Sequence, residues 1–71
     1  MTKTIHVLDI VALLRDIPSR GLVRGQVGTV IETLKPGVFE VEFSGDNGHA
    51  FANLALRAEQ LIVLHYQSKA A

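Results

Sequence analysis

Ser44, Asp46 and His49 fall within six residues of one another. Their types are those of a nucleophile, a carboxylate and a base. Nucleophilic catalysis needs the base held against the nucleophile, with a pocket behind both. Three side chains in one glycine-rich turn have no such wall, and we read Ser44 to Gly48 as a polar hairpin turn. His6, His49 and His65 lack the close spacing of metal motifs. A barrel could bring His6 and His65 together on adjacent terminal strands, but we read surface histidines and no metal site. Glu40 and Glu42 share one strand face, with Glu32 across the hairpin. Glycoside chemistry needs such carboxylates in a cleft with an apolar wall that raises one pKa; here they line a solvated face. Gly21 to Gly25 (GLVRG) is bracketed by glycines but opens onto a strand. It therefore lacks the helix N-terminus of a phosphate cradle. No catalytic residue and no cofactor is expected, and the chain reads as a non-enzyme.

The elements that must position these residues are strands. Ile5 to Leu14 (IHVLDIVALL) reads as a strand interrupted by His6 and Asp9, and Arg15 to Gly25 as a long loop. Gln26 to Leu34 (QVGTVIETL) is the second strand, with Gly28 marking a bulge or bend. Lys35-Pro36-Gly37 is a tight turn. Val38 to Phe43 alternates: Phe39, Val41 and Phe43 point inward, Glu40 and Glu42 outward. After the turn at Asn47-Gly48, His49 to Leu54 is the fourth strand. Ala55 to Gln60 holds helix formers but is too short for a free-standing helix. We read one helical turn, of the 3₁₀ type, leading into a last strand over Leu61 to Tyr66. A helix from Leu54 to Leu64 competes with this reading, and Ile62-Val63 argue against it. Gln67 to Ala71 reads as a frayed tail. This order predicts an all-β, five-stranded SH3-like barrel in a single domain over 1–71, with its core at about 5–66.

Composition bounds what such a domain can do. Seventy-one residues lie near the lower limit for a self-sufficient core, and no cysteine is present to staple it. Ala, Val, Ile, Leu, Met, Phe and Gly make up 39 of the 71 residues, roughly 55% against about 45–50% in ordinary domains. A surplus in so small a chain points to a partner. Seven basic residues balance seven acidic ones, whereas dedicated nucleic-acid binders usually carry a basic excess. No run approaches the ~18 apolar residues of a membrane span. The N-terminus does not read as a signal peptide, which favours the cytoplasm.

VALLRDIP at Val11 to Pro18, GLVRGQVGTVIE at Gly21 to Glu32, VEF at Val41 to Phe43 and LRAEQL at Leu56 to Leu61 run in a familiar order. They resemble the short bacterial proteins grouped as domain of unknown function 4926, over roughly Asp9 to Leu64. The resemblance implies an SH3-like barrel and brings no activity or ligand residues. GQVGTVI at Gly25 to Ile31 also looks like the core of KOW modules of ribosomal and transcription-associated proteins.

Two surfaces remain as candidate sites. Ala12 to Leu14 and Leu61 to Leu64 do not alternate, so both faces of each terminal strand are apolar, and a small barrel buries only one. Leu13, Leu14, Leu61, Ile62, Val63 and Leu64 form the expected protein interface. Arg15, Arg20 and Arg24 make the first loop basic. Proline-peptide recognition is disfavoured: there is no Trp, and the one Tyr is Tyr66 near the C-terminus. We expect a protein-interaction module, either a homo-oligomer or an accessory or antitoxin-like subunit of a bacterial complex. The alternative is a KOW-like nucleic-acid-binding barrel using the arginine loop. No small-molecule substrate is evident.

Overall fold

The computed structural model describes residues 4–44 and 50–65, and five antiparallel strands account for most of them. They are β1 (Ile10–Leu13), β2 (Val27–Lys35), β3 (Val38–Ser44), β4 (Ala50–Arg57) and β5 (Leu61–Val63). The sheet order is β4-β3-β2-β1-β5. Two 3₁₀ turns, Pro18–Arg20 and Ala58–Gln60, are the helical elements of the described residues. The all-β reading and the 3₁₀ turn before the last strand are therefore as expected. The sheet does not close, because β4 and β5 are its two edges, and the SH3-like description fits it loosely.

The alternation of β3 sets the inside of the molecule. Phe39, Val41 and Phe43 are buried, and they share a core with Val11, Leu13, Val30, Leu56 and Leu61. In register, Ala52, Phe43, Gly28, Val11 and Val63 form one inward row across all five strands. Gly28 is not a bulge. A Cβ there would lie 2.8 Å from the Glu42 carbonyl oxygen, 2.8 Å from Val41 Cγ1 and 2.9 Å from Phe43 Cδ1. The glycine makes room for its neighbours. The register slips further along, where Ile31 and Leu34 are the extra residues of two bulges in β2. Both lie beyond the part of β2 that pairs with β1, and both are exposed.

The first strand is shorter than Ile5 to Leu14. The Asp9 carboxylate accepts the His6 amide at 2.8 Å, and the Asp9 amide donates to the His6 carbonyl at 3.0 Å. This local pair competes with strand hydrogen bonds and folds residues 6–9 into a turn. Leu8 sits at its tip with φ 79°. Ile5, upstream, still reaches the core.

The segment from Arg15 to Gly25 is more than a loop. Ile17 and Leu22 exchange backbone hydrogen bonds of 2.8 and 3.2 Å around the Pro18–Arg20 turn, and Gly21 closes it at φ 70°. Leu22 is thereby buried in the core.

The fourth strand runs on to Arg57, and the last one stops at Val63. Ala58–Gln60 forms a single 3₁₀ turn because the Gln60 side chain accepts the Arg57 amide at 2.8 Å. The Ala58 amide is tied to the Gly37 carbonyl at 3.0 Å. The expected turn around Asn47-Gly48 and the tail from Gln67 lie outside the described residues.

Candidate functional site: the outer face of the sheet

Strand alternation divides the expected interface residues into two sets. Leu13 and Leu61 face each other across β1 and β5 and are fully buried, so they belong to the core. Val63 lies in the inward row with Val11 and packs partly against that core. Leu14, Ile62 and Leu64 fall on the outward parity. The apolar surface expected from six residues is thus carried outward by three of them.

Those three are joined by residues outside the six. Ala12 pairs with Val27 on β2 and with Ile62 on β5, so one outward row reads Val27–Ala12–Ile62. Val27 and Ile62 are each 47% exposed, and Ala12 between them only 7%. The flanking branched side chains shield the alanine and present a continuous apolar ridge. One row along, the Leu64 amide donates to the Ile10 carbonyl at 2.8 Å. Ile10 and Leu64 extend the apolar corner. On the opposite side, Leu14 donates its amide to the Gln60 carbonyl at 2.9 Å and completes it. Period-two counting from Val11 would have found Ile10 and Ala12. Adding Val27 required the β1–β2 register.

The remainder of this face is acidic. The row of Ile10 continues through Thr29 to Glu42 and Asn53. Beyond it, Glu32 stands directly opposite Glu40. Among the described residues the salt bridges are His6–Asp9 at 3.7 Å and Arg57–Glu59 at 3.6 Å, so none neutralises Glu32, Glu40 or Glu42.

The three arginines of the first loop are all exposed but do not act as a unit. Arg20 points toward β4, with Nη2 3.5 Å from the Asn53 carbonyl. Arg15 follows Leu14 at the end of β1. Arg24 precedes Gly25, whose amide donates to the Leu13 carbonyl at 2.7 Å. The backbone amide of Arg24 donates to the Asp16 carboxylate at 2.8 Å, which leaves its guanidinium outside that bond. Arg15 and Arg24 therefore lie in the chain next to the Leu14 end of β1, with no side-chain contact to the apolar corner.

The histidines contribute no centre of their own here: His6 and His65 are exposed, and His49 lies outside the described residues. No group of three His, Cys, Asp or Glu side chains that could hold a metal occurs among the described residues. Among the described residues no helix is long and apolar enough to cross a membrane. Neither a curated protein nor a solved structure matches the chain. A family model does match, over residues 7–63, from the turn before β1 to the end of β5, and by it the chain belongs to the family described as Domain of unknown function (DUF4926).

Proposed function

We propose that this protein is a non-catalytic, cytoplasmic interaction module that docks a protein through the outer face of β2, β1 and β5. The observation that carries this reading is the outward row Val27–Ala12–Ile62, apolar across three adjacent strands. Val27 and Ile62 are each 47% exposed, and a partner that covers them removes the remaining apolar surface from water.

Photocrosslinking in the native host tests it. A benzophenone side chain placed at Ile62 or Val27 should give covalent protein adducts, while one at Lys35, at the far end of β2, should give few. No protein adduct from either apolar position would end the proposal. Adducts to nucleic acid from Arg15, Arg20 or Arg24, lost steeply with salt, would favour the KOW-like alternative instead.

A further inference from the structure

We infer that the partner of this face is a cationic segment of another protein, which sets apolar side chains on the Val27–Ala12–Ile62 row and a Lys or Arg over Glu42. The inference rests on the docking reading above and adds the chemistry of the partner. It comes from the next outward row, where Leu64, Ile10, Thr29, Glu42 and Asn53 stand side by side across all five strands. The aliphatic end of that row adjoins Ala12 and Ile62. A carboxylate stands in the same row, two strands from Ile10.

Two strand spacings of about 4.8 Å put Glu42 roughly 10 Å from Ile10, and Val27, one strand and one row away, lies about 8 Å from it. A partner broad enough to cover Val27 and Ile10 therefore also takes water from Glu42. A carboxylate that loses water must gain a donor or a counter-charge, or the contact is penalised. Glu40 follows Glu42 on the same side of β3, and Glu32 lies opposite Glu40. A neutral donor would satisfy one carboxylate, whereas three like charges together select a cation.

The chain's own cations do not meet this need. Arg57 pairs with Glu59 at 3.6 Å, and Arg20 lies 3.5 Å from the Asn53 carbonyl. Lys35 shares the row of Val38, two outward rows from Glu42. Neither docking row holds a Lys or Arg, so a second copy laid on them would bring no cation from its own rows to Glu42. The same carboxylates repel the phosphates of a nucleic acid.

Charge changes at Glu42 in a crosslinking chain test the inference. With a benzophenone at Val27 in the native host, Glu42→Lys together with Glu40→Lys should lower the yield of protein adducts about tenfold or more, and Glu42→Gln by a smaller factor. Glu59→Lys, outside both rows, should leave the yield unchanged, and circular dichroism should show all three variants folded. The adducted segment, sequenced by mass spectrometry, should be net positive over about seven residues on either side of the adduct, the length over which a helix rises roughly 10 Å. If the double variant unfolds, the Glu42→Gln yield and the charge of the adducted segment decide. Adducts whose yield ignores the Glu42 substitutions, a neutral or acidic segment, or a second copy of this chain as the adduct each overturn the inference while leaving the docking face intact. No protein adduct from the unsubstituted chain overturns both readings.

Discussion

Gly28 lies directly opposite Phe43, and a Cβ on the glycine would stand 2.9 Å from the ring. The same Cβ would press on the Glu42 carbonyl, a backbone atom held by strand pairing. Gly28→Ala should therefore destabilise the fold by about 1–3 kcal/mol through overpacking. The denaturant midpoint should fall with the slope unchanged. An unaltered midpoint would show that the sheet spreads there at no cost.

The Leu8 side chain is 74% exposed, and its backbone holds φ at 79°. An L-residue in this region carries roughly 1–2 kcal/mol of strain, and little burial offsets it. Leu8→Gly should raise stability by about 0.5 kcal/mol after the glycine's own entropy cost. Leu8→Asn should do the same by tolerating the left-handed region. Loss of stability in both variants would mean that the leucine packs against something in solution.

Leu61 and Ile62 are adjacent in β5 yet face opposite ways. Leu61→Ala should cost about 2–5 kcal/mol of folding stability, as core truncations do. Ile62→Glu should leave the chain folded by circular dichroism while removing the protein adducts formed from a benzophenone at Val27. Equal effects of the two on thermal unfolding would contradict the division of the sheet into an inner and an outer face.

Glu32 and Glu40 repel each other in direct cross-strand register. Glu32→Lys converts that pair to an attractive one and should stabilise the isolated chain by about 0.2–1 kcal/mol. The gain should shrink as salt is added, because both side chains reach solvent. A gain that persists in high salt would point to helix or strand propensity and not to charge.

Much of the fold was legible from local pattern. The alternation of Phe39, Val41 and Phe43 gave the inward face, and Lys35-Pro36-Gly37 gave the hairpin turn, where Gly37 does take φ 79°. What remained hidden depended on contacts distant in sequence. Gly28 looked like a bulge or a bend because its role, space for Phe43 and Val41, appears only in the β2–β3 register. Ile5 to Leu14 looked like one strand because the pattern hides the Asp9 side chain turning back on the His6 amide. Leu22 looked like loop because burial there depends on the Ile17 bridge. At the candidate site the apolar excess of the terminal strands was visible. Which half of it faces out was not, since Leu13 and Leu61 are told from Leu14 and Ile62 only by strand parity.

β1 is held between β2 and β5, strands that come from opposite parts of the chain. β2, β3 and β4 form a meander whose pairings join near neighbours, and loop closure there is inexpensive. The pairing of Ala12 with Ile62 joins distant ones. Distant pairings slow folding, so the meander should assemble first and β5 should dock last. Until β5 arrives, Leu13 lacks Leu61, and β1 offers a free apolar edge to any neighbouring strand. The interval before that docking is when the chain is most open to misassembly, and when a second copy offering its own β5 would give a swapped dimer.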